Sequence, residues 1–233
     1  MSSLSTFSIG RVATIAITVV LVMFSATLHE IAHGYAALKC GDATAKEAGR
    51  LTLNPAAHFD GFGSFVLPLV MALLGGPMFG FAKPVPYNPR RLKNPTRDEV
   101  IVALAGPASN ILQALVGTAI FGALWSVSAT LQGLIGSAAI VWVLRVFTTY
   151  IYVNLSLAFF NLIPFPPLDG SKVVMPLLKG EAKQRYYQIQ AYAMPVLIAV
   201  LYVLPSFLGI DPVGAYLDFT AGNIYDLLIA AVM

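Results

Sequence analysis

Long apolar segments constrain this chain more than any other feature, because few folds can hide them from water. A helix needs about 20 apolar residues to cross a bilayer. Segments of this kind occur at residues 9–38, 100–127, 135–163 and 189–208. Hydrophobic residues make up 58% of the 233 residues and charged residues 11%, against about 25% charged in a soluble domain. The sequence therefore predicts an all-α, polytopic membrane protein.

Two further apolar segments are less regular. Residues 62–81 are interrupted by prolines and by a glycine pair, and residues 213–233 carry two aspartates. The last segment is expected either to span the bilayer or to lie at its interface. Residues 1–10 lack the basic region and cleavage site of a signal peptide, so the first apolar segment is expected to be retained. We predict five or six transmembrane helices in one domain, residues 1–233.

Charge and cysteine content exclude several classes of function. The formal net charge is +3, too small to indicate a nucleic-acid partner, so the basic residues are interpreted as markers of membrane topology. Cys40 is the sole cysteine, which rules out an internal disulfide and a thiolate-rich metal site. The expected surroundings are the lipid bilayer.

The motif His29-Glu30-Ile31-Ala32-His33 carries the strongest chemical signal. Residues four apart share one face of a helix, so the two imidazoles can bind one metal ion. Glu30 lies beside them, where it can serve as a general base toward water. Ionisable residues inside an apolar helix cost about 2.5–3.5 kcal/mol each on the insertion scale. The alternatives are a polar cluster joining helices, or a helix end that emerges into water.

A third metal ligand is needed, and Asp169 is the main candidate. It follows a long apolar segment and three prolines, Pro164, Pro166 and Pro167. Prolines stop a helix, and unwound backbone at membrane depth is tolerated around a wet cavity. An Asp-Gly pair alone is more often an ordinary turn. The apolar segment before it and the need for a third ligand favour a metal site.

These residues resemble the site-2 proteases, in particular the short prokaryotic members without a PDZ domain. The resemblance covers roughly residues 20–175 and rests on five stretches in order: 29–34 (HEIAHG), 49–55 (GRLTLNP), 82–86 (AKPVP), 105–110 (AGPASN) and 161–170 (NLIPFPPLDG). It implies one Zn²⁺ per chain, bound by His29, His33 and Asp169, with Glu30 as catalytic base. It also implies that Asn161 steadies the substrate carbonyl or its oxyanion. Iron or cobalt could occupy the same ligands in vitro.

The ligand positions and the charge pattern predict a topology. His29 and Asp169 lie at the ends of two different helices, and these ends must be on the same side of the membrane to share one metal. Only segment 100–127 crosses between the first helix and the helix that ends near residue 163, so residues 39–98 must begin and end on that same side. Residues 62–81 should therefore not cross singly and are predicted to form a re-entrant hairpin. Residues 39–60, 82–98 and 164–188 hold 12 of the 14 lysines and arginines. Basic loops favour the cytoplasm. We therefore predict a multi-pass cell-membrane protein with its active site toward the cytoplasm and its N-terminus outside. The catalytic core is predicted at residues 9–175, followed by C-terminal helices at 189–233.

The predicted function is intramembrane zinc endopeptidase activity on transmembrane proteins or peptides. The resemblance implies single-pass substrates already trimmed by another protease, in regulated intramembrane proteolysis or in clearance of signal-peptide remnants. An extended substrate could pair with short membrane-associated strands, with residues Leu51, Thr52, Leu53 and Asn54 or residues 83–87 as edges. Pro84 and Pro86 weaken the second edge. The sequence does not indicate the oligomeric state.

Alternatives to this function and several residues stay open at the sequence level. A membrane protease of the prenyl-protein-processing kind would call for a glutamate ligand and a longer chain. A non-catalytic zinc-binding protein or a zinc transporter would also bind metal, but transporters often show repeated halves. His58 is interpreted as a surface residue, with a gate or substrate contact as alternatives, and Arg145 as a snorkelling cation or a site residue. Gly106, Pro107 and Asn110 are expected to begin a helix and to provide close packing and a polar contact, with a direct catalytic role as the less favoured alternative.

Overall fold

Helices of the α, 3₁₀ and π types form all of the regular structure in the described part of the chain. The computed structural model describes residues 9–58, 60–61 and 83–233. In chain order its helices are α1 (Ile9–Lys39), α2 (Thr44–Glu47), α3 (Pro95–Ser126), α4 (Ser128–Ile135), α5 (Ser137–Asn161), α6 (Asp169–Val174), α7 (Gly180–Gln190), α8 (Ala193–Ile198), α9 (Pro212–Leu217) and α10 (Asn223–Ala230). Short 3₁₀ turns cover Pro55–His58, Pro89–Arg91 and Met175–Leu177, and π-helical turns cover Ala199–Leu208 and Asp218–Gly222.

Three helices are long and apolar enough to cross a membrane: Val12–Lys39, Pro95–Ser126 and Ser137–Asn161. A fourth span is possible in the pair Gly180–Gln190 and Ala193–Leu208, which is bent by 71°. The expected all-α architecture with several apolar helices is confirmed. Five or six spans are not reached within the described parts of the chain. The predicted re-entrant hairpin at residues 62–81 lies outside the described residues.

Helix α3 begins five residues earlier than its apolar segment, at Pro95 instead of residue 100. Asn94 caps it, since its side chain accepts a hydrogen bond from the backbone N–H of Arg97 at 3.4 Å. Pro95 suits the first helical position because its missing N–H would be unpaired there anyway. The first turn is therefore polar, so the apolar pattern predicts a later start than the structure has.

Helix α3 packs against both α1 and α5. Its buried face consists mainly of small or polar residues, including Ala103, Gly106, Asn110 and Gly117, while its leucines are largely exposed. A Cβ atom at Gly117 would lie 3.0 Å from Cδ1 of Tyr150 on α5. Small residues let helix backbones approach closely in a membrane, where apolar side chains can face lipid. This close approach brings polar groups from three helices together.

The C-terminal residues 212–230 pack on this framework. Ala221 is fully buried in a cluster with Ala114, Phe121, Ile151 and Leu155 of α3 and α5. The Tyr216 hydroxyl donates to the Phe159 carbonyl at 3.3 Å. The segment is not among the candidate spans.

The short strands predicted at residues 51–54 and 83–87 are absent, since the described residues contain no strand there or elsewhere. In the second segment, backbone carbonyl groups accept hydrogen bonds from a side chain instead of from a neighbouring strand. Arg50 Nη2 donates to the carbonyl oxygens of Lys83 at 2.7 Å and Pro84 at 3.4 Å. A strand needs a paired backbone, and the described residues supply no partner strand for either segment.

Asp42 joins the end of α1 to residues 83–88. Its side chain is fully buried, and its carboxylate accepts hydrogen bonds from the Thr44 backbone N–H and hydroxyl and from the Asn88 backbone N–H, at 3.0, 2.5 and 2.5 Å. Burial by itself raises the pKa of the Asp42 carboxyl, but these hydrogen bonds outweigh burial and hold the pKa below its usual range. The ionised form therefore stabilises the fold.

We expect Asp42→Ala to lower the free energy of unfolding by about 1–3 kcal/mol, because buried backbone donors lose their acceptor. Since the folded pKa is depressed, the stabilisation is present above about pH 4 and is lost as pH falls through the folded pKa. Thermal unfolding in detergent at several pH values measures the difference between wild type and variant. A difference that stays constant down to about pH 2 would contradict the assigned role of the ionised carboxylate.

Candidate metal centre

His29 and His33 lie one turn apart on α1, as their spacing predicts. Their Nε2 atoms are 3.0 Å apart. Asp169 is the first residue of α6, and its Oδ2 lies 3.1 Å from each of the two Nε2 atoms. All three residues converge on one point, as the sequence predicts. A tetrahedral ion with bonds of about 2.0–2.1 Å separates its ligand atoms by about 3.3 Å, close to the observed spacing.

The second nitrogen of each histidine has a fixed hydrogen-bond partner. His33 Nδ1 lies 2.6 Å from the Val102 carbonyl oxygen, which can only accept. His29 Nδ1 lies 2.5 Å from the side-chain oxygen of Asn110. Both Nδ1 atoms therefore carry the proton, and both Nε2 atoms present a lone pair.

Three electron-pair acceptors thus converge at 3.0–3.1 Å, namely two imidazole nitrogens and one carboxylate oxygen. An ionised carboxylate is an acceptor only, so none of these three groups donates a proton to another. Such acceptors repel one another unless a cation lies between them. The donor set fits Zn²⁺, which prefers nitrogen and carboxylate ligands.

Gly106 allows the backbone of α3 to reach the metal centre. A Cβ atom there would lie 2.4 Å from His33 Nε2 and 2.5 Å from His29 Nε2, which is closer than atoms pack. The close packing expected for this motif is confirmed. The expected helix opening is wrong, because Gly106, Pro107 and Asn110 lie inside α3. The helix starts earlier, at the Asn94 cap.

We expect Gly106→Ala to displace the ligand imidazoles and to lower cleavage activity by about 100-fold, the cost of misplacing a site by about 1 Å. Zinc content should fall as well, and both are measurable on purified protein. Gly133→Ala is the matched control, since a Cβ atom there meets nothing within 4 Å. Equal activity of the two variants would contradict the close approach of α3.

A backbone group outside α1 restrains the side chain of Glu30. Its Oε2 accepts a hydrogen bond from the Val85 backbone N–H at 2.7 Å. A Cβ atom at Gly34, one turn further, would lie 3.0 Å from Cγ1 of Val85 and 2.5 Å from Cδ2 of Leu51. Residues 83–88 therefore run across the face of α1 that carries the motif. This hydrogen bond restrains the carboxylate of the predicted base beside its neighbouring ligands.

Asp169 also has a cation on its second oxygen. Lys172 Nζ lies 4.0 Å from Asp169 Oδ1 and 5.2 Å from the ring centroid of Tyr87. The Tyr87 hydroxyl donates to Glu99 Oε1 at 3.1 Å. Lys172 was not among the predicted site residues, although its position three residues after Asp169 in α6 indicates such a contact.

Asn161 is the last residue of α5, and its Nδ2 donates to the Leu157 carbonyl oxygen at 2.9 Å. In this rotamer the amide is used within its own helix. Its predicted contact with a substrate oxygen therefore requires the side chain to turn away from Leu157. The oxyanion role stays a prediction.

The predicted substrate-contact residues 51–54 form an irregular bend. Leu53 is two-thirds exposed, whereas Thr52 uses its carbonyl oxygen to accept from His58 Nε2 at 2.9 Å. Their contact with substrate stays a prediction. The surface position expected for His58 is wrong, because its side chain is 2% exposed. The 3₁₀ turn Pro55–His58 folds the ring back against the preceding bend.

Arg145 lies far from the metal centre. Its guanidinium stacks over the Trp142 ring at 5.3 Å, beside a crevice of about 370 Å³ near the start of α5. Asn161 is 16 residues further along the helix (161 − 145), about 24 Å at 1.5 Å per residue. The distance along α5 favours the interfacial, snorkelling interpretation.

These features define a metal site of the H-E-x-x-H type, built on apolar helices. The family model described as Peptidase family M50 matches residues 17–204. The chain belongs to this family, the site-2 proteases. It is a zinc metalloprotease, and the transporter alternative is therefore disfavoured.

Individual relatives agree with the family assignment. The chain is 36% identical to "Putative zinc metalloprotease YwhC" of Bacillus subtilis over 187 residues, which are 80% of each chain. It is 28% identical to "Putative zinc metalloprotease Rip2" of Mycolicibacterium smegmatis and 27% identical to that of Mycobacterium tuberculosis strain H37Rv. Those alignments cover 79% and 80% of this chain and 65% and 66% of the relatives. No solved structure matches the chain significantly.

Proposed function

We propose that this peptidase hydrolyses peptide bonds within or beside the transmembrane segments of other membrane proteins. One observation carries the proposal: His29, Glu30 and His33 lie inside Val12–Lys39, a helix apolar and long enough to span the bilayer. Ionisable residues at membrane depth are costly and are kept there for function. A peptide bond that is hydrolysed at this centre therefore has to lie within or beside the bilayer.

Glu30 is the proton carrier in the proposed reaction. Zn²⁺, when bound by His29, His33 and Asp169, acts as a Lewis acid that polarises water and the scissile carbonyl. Glu30 takes a proton from water and later gives it to the nitrogen of the leaving amine. The Val85 N–H holds Oε2 at 2.7 Å and keeps the carboxylate oriented during both transfers.

Asn161 is the proposed donor to the oxyanion. Its Nδ2 would leave the Leu157 carbonyl and donate to the substrate oxygen on which negative charge develops. A donor of this kind is worth about 10²–10³ in rate. Asn161 lies eight residues before Asp169 (169 − 161), at the end of the helix that leads into the ligand loop.

The proposed substrate is bound in extended form. A helical segment hides its carbonyl groups in its hydrogen-bond ladder and has to unwind before attack. Residues 51–54 and 83–88 both lie against α1 near the motif, as the contacts at Gly34 and Glu30 indicate. We infer that residues Leu51, Thr52, Leu53 and Asn54 contact the unwound substrate. Single-pass proteins already trimmed by another protease fit such a site, in signalling or in clearance of signal-peptide remnants.

Cleavage of single-pass substrates in proteoliposomes tests this proposal. Mass spectrometry of the products locates the cut bond, which should lie inside or within a few residues of the transmembrane segment. A matched substrate, with its transmembrane segment replaced by a soluble linker, should be cut poorly. Equal cleavage of both substrates, or cuts confined to soluble loops, would contradict intramembrane specificity.

The proposed orientation has the metal centre toward the cytoplasm and the N-terminus outside, in accord with the basic residues of segments 39–60, 82–98 and 164–188. We expect a cysteine placed at exposed Lys179, in a Cys40→Ala background, to react with a membrane-impermeant maleimide in inverted vesicles but not in intact cells. A cysteine at exposed Gly133, between α3 and α5, is the control and should show the opposite pattern. The reverse result would overturn the orientation.

A further inference from the structure

A chain of hydrogen bonds leads from His29 away from the metal centre. His29 Nδ1 contacts Asn110 Oδ1 on α3, Asn110 Nδ2 donates to Asn154 Oδ1 on α5 at 2.9 Å, and Asn154 Nδ2 donates to Ser25 Oγ on α1 at 3.0 Å. Asn110, Asn154 and Ser25 are each fully buried. The chain therefore crosses all three long helices in a region without access to bulk water.

One contact, between Asn154 and Tyr150, fixes which atom donates and which accepts in each hydrogen bond of this series. Asn154 Nδ2 also donates to the backbone carbonyl oxygen of Tyr150 at 3.0 Å. A carbonyl oxygen only accepts, so the amino end of the Asn154 amide must face it. The Asn154 carbonyl oxygen then faces Asn110, which has to present its own amino group. Asn110 is left with its oxygen toward His29, and that oxygen requires a proton on Nδ1.

The two ligand histidines differ in this respect. His33 Nδ1 faces a backbone carbonyl, that of Val102, so its tautomer is fixed by groups that cannot reverse. His29 faces a side-chain amide, and an amide can rotate by half a turn to present Nδ2 in place of Oδ1. A reversed Asn110 would donate to Nδ1 and place the proton on Nε2, the atom that binds the metal. Something has to hold Asn110 in one orientation.

We propose that Asn154 is a positioning residue, which holds the Asn110 amide in the orientation that keeps His29 Nε2 free to bind metal. Asn154 lies two hydrogen bonds from His29 and need not contact metal or substrate. Partners beyond the direct ligands typically change metal affinity or activity by about 10–100-fold. This role rests on the zinc site of the proposed peptidase, but its test does not depend on peptide cleavage.

Zinc affinity of purified variants, measured by competition with a chelator in detergent, tests the proposal. Asn154→Leu keeps the size of the side chain and removes its polarity, so zinc should bind about 10–100-fold more weakly. Asn154→Asp should restore affinity to within about threefold of wild type. Buried in this site, its protonated carboxyl can donate to the Tyr150 carbonyl and accept from Asn110, as the amide does.

Two controls separate this role from helix packing. Ser25→Ala removes the last partner but leaves the Tyr150 carbonyl in place, so zinc affinity should change by less than about threefold. Thr118→Val removes another buried hydroxyl of α3, bonded to the Ala114 carbonyl at 2.9 Å and outside the chain, and should leave affinity unchanged. Should Asn154→Leu fail to fold, Asn154→Ala provides the same comparison with Asn154→Asp, since alanine also removes the amide that contacts Asn110 and the Tyr150 carbonyl.

The outcomes are distinct. Weak zinc binding by Asn154→Leu, with recovery in Asn154→Asp and near-normal binding by Ser25→Ala, supports the positioning role. Wild-type affinity in a folded Asn154→Leu variant would overturn it. An equal loss in Ser25→Ala and Asn154→Leu would also overturn it, because it would indicate general disruption of packing. A wild-type protein that binds zinc but cuts no substrate would count against the proposed substrate class and leave this comparison intact.

Discussion

Replacing Glu30 by glutamine is expected to lower peptide cleavage by about 10²–10⁴-fold while zinc stays bound. Glutamine is nearly the same size and can still accept from the Val85 N–H, but it cannot carry a proton between water and the leaving amine. Initial rates of cleavage, with zinc content measured on the same preparation, test this expectation.

Glu47→Gln is the matched control for that substitution. Glu47 is exposed and pairs with Arg91 at 2.7 Å on the protein surface, so its loss should leave the rate unchanged. Cleavage by Glu30→Gln within about tenfold of the wild-type rate would show that another group moves the proton.

Replacing Asp169 by alanine is expected to remove zinc and cleavage together. Asp169 Oδ2 is the one carboxylate ligand, and its loss leaves two imidazoles to hold the ion. Two neutral ligands bind zinc far less tightly than three ligands that include an anion. Zinc per chain after dialysis should fall from about one to near zero. The experiment needs elemental analysis alongside a cleavage assay.

Asp211→Asn provides the control for loss of an aspartate. Asp211 caps α9 through the Gly214 N–H at 2.7 Å, and asparagine can form the same cap, so zinc and activity should both be retained. Full zinc occupancy in a folded Asp169→Ala variant would mean that the third ligand lies elsewhere in the chain.

The sequence predicts the metal centre well because the evidence for it is local in the chain, and because ionisable residues in an apolar helix cost free energy unless they serve a function. His29 and His33 need only a helix to share one face, and Asp169 follows three prolines that end a long apolar helix. The long helices follow from apolar length, apart from the polar first turn of α3. Each of these predictions depends on a short stretch of chain.

The rest depends on contacts between distant segments. A polar contact was expected for Asn110, but His29 lies 81 positions away and Asn154 lies 44 away, so the sequence shows neither its partners nor its orientation. Asn154 itself is a polar residue within an apolar helix, and this feature alone indicates a partner on a neighbouring helix. The strand predicted at residues 51–54 does not form, because no other segment among the described residues pairs with its backbone. The buried position of His58 likewise depends on a turn that folds the ring inward.

Zinc content and cleavage measured on one preparation of wild-type protein test the metalloprotease assignment most directly. The purified chain should contain about one zinc ion, lose cleavage activity when a chelator removes it, and regain activity when zinc is restored. A well-folded wild-type protein that contains little zinc, or that cuts its substrate equally well after zinc removal, would contradict the assignment of His29, His33 and Asp169 as a catalytic metal site.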